Sequence, residues 1–378
     1  MLRSASLLCA VMLFGILSSA SAIGIRDYNP PVSSLFDMDL SAFYSYLGQD
    51  STTTNNGSVN YIYNNFYESL PFGWSVNSSG GLTYDGLAPD SLDETQYTVL
   101  LDGEIHKYLS GDIFGYTSLH LASQTDYDHL DASTFLGAGY GRYINATSMA
   151  KALRIQEELQ EEGTINGALE DAVLIALASE IDNASSYEIQ RDYYLAIEEV
   201  LEESEQIDVL EAVALYRIMQ VLDNEVVRDR YYGYRVGAGV GYELSNPYSE
   251  DTEDPVMEIF GNFAYPFSLR SQFNQSALFT SNLKEFGDSY NFAATSSFSF
   301  EISDKFDDRV QYQFVADKTT IGSGSGAVSN TVSTHTITNS FIFYIENRIS
   351  LNFDASLIKT TDLTLQKSVG FSIGYDLF

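Results

Sequence analysis

The chain is poor in groups that titrate near neutral pH. It has four histidines, His106, His120, His129 and His335, and its single cysteine is Cys9. Asp102, Glu104 and His106 fall on alternate residues, as do Ser118 and His120. In an extended chain alternate side chains share a face, so neighbouring strands would bring these five together. Imidazoles among carboxylates could relay protons or hold a metal, and a serine beside a histidine could act as a nucleophile pair. The simpler reading is a polar network filling an interior. His129 falls in an expected loop and His335 near a strand's outer end, and neither has a partner pattern. We assign no catalytic residue, no metal ligand and no cofactor from this pattern.

Other motifs carry less. Glu250-Asp251-Thr252-Glu253-Asp254 has carboxylates for a divalent cation but lacks the ordered spacing and glycine of a calcium loop. The run Gly322-Ser323-Gly324-Ser325-Gly326 is followed by no Lys-Ser/Thr pair and no helix, which excludes a phosphate loop. Glycines alternate from Gly233 through Gly237, Gly239 and Gly241, echoed by Gly137, Gly139 and Gly141. Alternate glycines within a strand make a bare wall against which another segment can pack.

The elements that position these residues are strands with a period of two. Phe36, Met38, Leu40, Ala42, Tyr44 and Tyr46 alternate with Asp37, Asp39 and Ser41. Tyr232, Tyr234, Val236, Ala238, Val240, Tyr242 and Leu244 alternate with Gly233, Arg235, the glycines and Glu243. About 14 such strands (range 12–16) fall in two blocks, 23–145 and 230–378. The chain holds 27 Tyr, 23 Phe and 27 Gly, with only 19% charged residues. Aromatics framing an apolar face, opposite a face of small and polar residues, are what a transmembrane antiparallel β-barrel needs. A soluble sandwich also alternates but has no use for tyrosines at its strand ends. On this reading Asp102, Glu104, Glu301 and Asp354 face the lumen.

The N-terminus reads as a secretory signal over 1–22. Arg3 precedes the apolar run Leu7–Leu17, and Ala20-Ser21-Ala22 supplies small residues for cleavage. The run is too short for a comfortable membrane span. The net charge of −33 argues against nucleic acid, which needs a basic surface. It favours cations, cationic peptides, or divalent ions bridging to lipopolysaccharide.

The connections sort by parity. Short turns are expected at Ser69-Leu70-Pro71, Ser110-Gly111-Asp112, Tyr265-Pro266-Phe267, Ser303-Asp304-Lys305 and Glu346-Asn347-Arg348. Longer polar loops are expected at 49–56, 85–94, 123–131, 246–255 and 319–330. Bacterial barrels keep short turns in the periplasm, which places both termini there. The sixth connection, 146–229, is instead helical and acidic: over 151–230, twenty Asp and Glu stand against six Lys and Arg. Thr147 reads as a helix cap, Gly163 as a stop, and Ser185 with Glu188 as a capping box. About four helices are expected, enough for a small periplasmic bundle with its own core, one helix of which packs against the glycine walls.

The last strand resembles the β-signal by which Gram-negative outer-membrane β-barrel proteins are recognised for assembly. Ser368, Gly370, Ile373 and Tyr375 match its polar, glycine and hydrophobic places, and Phe378 its terminal aromatic, although Phe378 is out of phase with the apolar face. The resemblance implies insertion by the barrel-assembly machinery into a membrane of lipid and lipopolysaccharide. It does not name a solute. The expected function is a passive, cation-preferring, porin-like channel, not an enzyme, whose periplasmic mouth is gated or scaffolded by the helical insert. The alternative is a non-conducting anchor that presents the acidic insert to a periplasmic protein partner.

Overall fold

The computed structural model describes residues 23–49, 52–86, 95–204, 206–207, 210–223, 228–247, 255–284, 286–287, 289–321, 328–346 and 349–376. The expected secretory signal over 1–22, Cys9, the acidic cluster at 250–254, the glycine run at 322–326 and Phe378 lie outside them.

Alternating residues pair into fourteen antiparallel strands that close into one barrel. In chain order they are β1 (Val32–Gln49), β2 (Thr52–Ser69), β3 (Phe72–Asp85), β4 (Thr95–Ser110), β5 (Ile113–Gln124), β6 (Asp131–Asn145) and β7 (Tyr231–Ser245). The second block holds β8 (Pro255–Ser268), β9 (Ser271–Asn282), β10 (Tyr290–Ser303), β11 (Phe306–Ile321), β12 (Val328–Glu346), β13 (Ile349–Thr360) and β14 (Gln366–Asp376). Each strand pairs with its neighbours in sequence, and β1 pairs with β14 from Asp39–Asp376 to Ala42–Ile373. Closure leaves no edge strand with open backbone groups, the condition for crossing hydrocarbon with strands. No described helix is long and apolar enough to cross a membrane.

One face of the ladder is apolar and bare. Leu136 is 71% exposed, Val369 70% and Tyr44 68%. On the opposite face of β5, Phe114 and Tyr116 are buried. The exterior therefore has the character of a core without a covering layer, which fits lipid and not water.

Three expected connections differ from the structure. Tyr265-Pro266-Phe267 is not a turn: β8 continues to Ser268 through a register shift at Pro266, and the turn is Leu269–Arg270. Pro266 has no N–H to give the ladder, and an irregular strand end tolerates it. The long loop expected at 49–56 is strand, with β1 and β2 paired out to Gln49 and Thr52. Polar threonines and asparagines resemble a loop in composition, but Thr suits a paired strand. At 319–330 the strands also run on, to Ile321 and from Val328.

Between β6 and β7 stand four α-helices: α1 (Thr147–Glu161), α2 (Asp171–Asp182), α3 (Gln190–Glu202) and α4 (Ala212–Leu222). Met149, Ile155, Leu159, Leu177, Ile197 and Val221 form their core, which also takes Ile25 and Tyr28 from the segment before β1. Thr147 is not the cap of α1. It is the first helical residue, and its N–H donates to Asn145 Oδ1 at 3.0 Å. Ser185 and Glu188 form no capping box, because a short 3-10 turn, Asn183–Ser186, precedes α3, which begins only at Gln190. Gly163 follows the end of α1 with φ +73°, a conformation that glycine adopts without strain.

The helices gather at the barrel end of the short turns. Arg154 of α1 reaches Asp304 in the β10–β11 turn, and Tyr232 at the start of β7 donates to the backbone oxygen of Tyr28.

Candidate functional site: the inner wall and its mouth

The inner wall from β2 to β8 carries two chains of polar contacts. In the first, His106 on β4 lies between two carboxylates, Nε2 at 2.9 Å from Glu68 of β2 and Nδ1 at 3.0 Å from Glu104. Arg235 of β7 donates to Glu104 at 2.7 Å, three strands round the barrel. In the second, His120 on β5 lies 2.6 Å from Asp102 of β4 through Nδ1 and 3.3 Å from Glu258 of β8 through Nε2. The Ser118 hydroxyl donates to the same Glu258 at 3.1 Å. Glu258 is only 2% exposed. A carboxylate so buried needs these partners, since an unpaired one would carry the full cost of desolvation.

The glycines let these side chains lie flat. A Cβ on Gly139 would stand 2.2 Å from the Phe114 ring, one on Gly137 2.5 Å from Tyr116, and one on Gly237 2.5 Å from Phe260. Tyr116 also crosses Gly239, and its ring meets that of Phe260 edge-on at 5.2 Å. The glycine walls are thus covered by aromatics from the two flanking strands, β5 and β8. This corrects the expectation that a helix of the insert packs there. The nearest atoms to Gly141 and Gly241 belong to Tyr234, Thr134 and Phe135, again within the barrel.

The four acids singled out from the sequence all project inward, but not as a ring. Asp102 and Glu104 belong to the two chains of contacts on the β2–β8 wall. Asp354 on β13 accepts from the Ser340 hydroxyl. Glu301 is 4% exposed at the short-turn end of β10 and pairs with Arg230. Serine 118 contacts Glu258 and not an imidazole. Among the described residues no group of three His, Cys, Asp or Glu side chains is placed to hold a metal ion. His335 lies on the outer face, its Nδ1 2.8 Å from the Tyr312 hydroxyl. On β14, Ser368 and Gly370 alternate with exposed Val369, Phe371, Ile373 and Tyr375.

The mouth at the short-turn end is built by residues that the alternation did not single out. Arg154, Arg228 and Arg230 converge on Glu301, Asp304 and Asp307 of the β10–β11 hairpin. Arg154 lies 3.1 Å from Asp304, and Arg228 donates to Asp307 at 2.8 Å while its guanidinium covers the Tyr344 ring at 3.7 Å. Arg230 is buried, donates to the Leu269 backbone oxygen at 3.0 and 2.8 Å, and pairs with Glu301. One residue on, Tyr231 stacks on Tyr143 of β6 at 5.3 Å and reaches Phe66 of β2 at 6.5 Å. The segment returning from the insert therefore touches β11 and β12 at one end and β2 and β6 at the other. The sequence signal was present in the Arg228-Asp229-Arg230 triplet, basic residues at the edge of an acidic insert and immediately before a strand.

Inside the insert, burial pushes the Lys151 ammonium down to about 8, against the pull of Asp229 and Asp223. Its Nζ donates to the Leu222 backbone oxygen at 2.8 Å. Burial also raises Asp182, which accepts from the Tyr28 hydroxyl at 2.6 Å.

The closed ladder and its bare apolar exterior define a β-barrel of the membrane-spanning class. No protein-family model matches the chain, and no curated protein does. It is similar in structure to the outer-membrane protein Omp33 of Acinetobacter baumannii, with 8% identity over 92% of this chain and 98% of that one (TM-score 0.32). It is also similar to a BenF-like porin of Pseudomonas fluorescens Pf-5, with 7% identity over 91% and 98% (TM-score 0.34). A third similar structure is the outer-membrane channel DcaP of Acinetobacter baumannii, with 10% identity over 92% and 97% (TM-score 0.33).

Proposed function

We propose that this chain is a passive, cation-preferring channel of the bacterial outer membrane, with the helical insert in the periplasm narrowing the mouth. The observation that carries the reading is a row across the inner face of β11–β13. Gln311, Thr338 and Ser356 are register partners and alternate with exposed Val310, Ile337 and Leu357, so an amide and two hydroxyls line the wall at that level. Fourteen strands enclose more space than side chains fill, unlike eight. Such a lining suits small hydrated solutes. The preference for cations is supported by the net charge of −33 and by inward Asp102 and Asp354, whose described partners are a histidine and a serine. In planar bilayers under a KCl gradient, the reversal potential is expected to show K⁺ passing in preference to Cl⁻. An anion-selective or silent protein would overturn the reading.

A second reading is favoured by one side of α4, where Val213 and Tyr216 are both more than half exposed on an acidic domain. Here the barrel anchors the insert as a docking platform for an envelope protein, and the short-turn mouth stays shut. Single-channel recording separates the two, because the anchor does not conduct.

A further inference from the structure

We propose that the outer face of β12–β14, at the long-loop end, docks the phosphorylated headgroup of an anionic lipid of the outer leaflet. His335 and Lys359 are register partners across β12 and β13. Lys367 on β14 pairs with Leu357, which makes it the diagonal neighbour of Lys359, about 7–8 Å away. All three side chains are exposed. Lys318 of β11 shares this face, its Nζ donating to the Gly287 backbone oxygen at 2.6 Å.

Three features together point to a lipid. First, the cluster is out of character for the chain, which has 52 Asp and Glu against 19 Lys and Arg. The outward positions of β12, β13 and β14 hold no acid, and the nearest in sequence is Asp362 in the β13–β14 turn. Second, the cluster sits directly on the apolar belt. Leu357 is one outward position from Lys359, Val369 one from Lys367 and Ile337 one from His335, and all three are exposed. Two residues of strand span about 7 Å, the distance from a headgroup phosphate to the first acyl carbons of its chains. Third, the site is braced. His335 is held by the Tyr312 hydroxyl at 2.8 Å and lies 4.7 Å from the Phe314 ring, and Lys359 donates to the Leu363 backbone oxygen within the turn. Aromatic and basic side chains at one level are the usual anchors at a membrane surface. A free phosphate would use the lysines and leave the apolar positions bare, so the lipid is the occupant that fits both halves.

The inference rests on the membrane placement proposed above and not on conduction. The test titrates the full chain, in neutral detergent, with fluorescent lipopolysaccharide. Each lysine removed near a charged surface is expected to weaken binding about fivefold, so K359Q/K367Q loses roughly thirtyfold. K107Q, on the outer face at the short-turn end, is expected to bind as the wild type does. Wild-type binding is expected to weaken with added NaCl and to resist competition by inorganic phosphate. Phosphatidylcholine binding as tightly as lipopolysaccharide, or full affinity in K359Q/K367Q, would overturn the proposal. A wild type that inserts into liposomes yet ignores lipopolysaccharide would sink the lipid site alone and leave the channel reading standing.

Discussion

The rings of Phe66 and Tyr231 stand 6.5 Å apart, although their strands are separated by five steps round the barrel. Neighbouring strands lie about 4.8 Å apart, so this contact spans the mouth and does not follow the wall. Tyr231 is the first residue after the insert, and its position is fixed by Arg230 on one side and by the Tyr143 stack on the other.

If this contact narrows the path, removing it widens the path. Y231A is expected to raise single-channel conductance in KCl, and F66A to do the same to a smaller degree, because Tyr231 also covers Tyr143. F66A loses one aromatic pair and Y231A two, each worth about 0.5–1.5 kcal/mol beyond its burial. Unchanged conductance in both variants would place the constriction elsewhere.

The Arg230–Glu301 pair is buried on both sides, the two side chains being 2% and 5% exposed. Breaking one partner of such a pair typically costs about 3–5 kcal/mol, because the other charge is left without compensation. R230M is expected to lower the urea midpoint of the folded barrel markedly. R230M/E301L removes both charges and is expected to recover part of the loss. A double variant no more stable than R230M would show that the pair is not what the mutation exposed.

The glycine walls and the apolar exterior are both legible in the sequence, but what covers the glycines is not. Period-two alternation depends on local sequence, so the strands, their outward residues and the helical interruption follow from it directly. What covers a glycine depends on which residues the ladder places three strands away. Tyr116 meets Phe260, and Glu258 meets His120, only once β6 and β7 are in register between them. The arginines of the mouth were hidden for the same reason. Their acids, Asp304 and Asp307, sit in the β10–β11 hairpin, 150 residues from Arg154 and 79 from Arg228. Capping also failed locally: Ser185 has the right spacing to Glu188, but the chain there makes a 3-10 turn first.

The covering of the glycines gives a graded prediction. A Cβ at Gly241 would lie 1.9 Å from the Thr134 backbone oxygen, which cannot move without breaking the ladder, whereas Gly103 has nothing within 4 Å. G241A is expected to reduce the yield of refolded, heat-modifiable barrel strongly, and G103A to leave it unchanged. G139A is expected to cost at least about 1–3 kcal/mol, because its Cβ would displace the Phe114 ring and stand 2.5 Å from the Val236 backbone oxygen. Equal yields for G241A and G103A would refute the packing described for β6 and β7.

The insert has a pH dependence whose sign follows from Lys151. Its ammonium is held down to about 8 by burial, from an ordinary 10.5. Below pH 8 both folded and unfolded chains carry the proton, and the folded state bears the whole cost of burying it. Between pH 8 and 10.5 the folded chain sheds the proton while the unfolded chain keeps it, so the unfolded state binds more protons and stability rises with pH. The gain is complete above 10.5 and amounts to ~1–3 kcal/mol. Helix loss followed at 222 nm reads the insert against a barrel that is all strand. Its denaturation midpoint is expected to climb from pH 8 to 10 more steeply in the wild type than in K151M, which has no ammonium to lose. Parallel pH profiles for the two proteins would mean that Lys151 meets enough water in the folded state to keep its ordinary protonation.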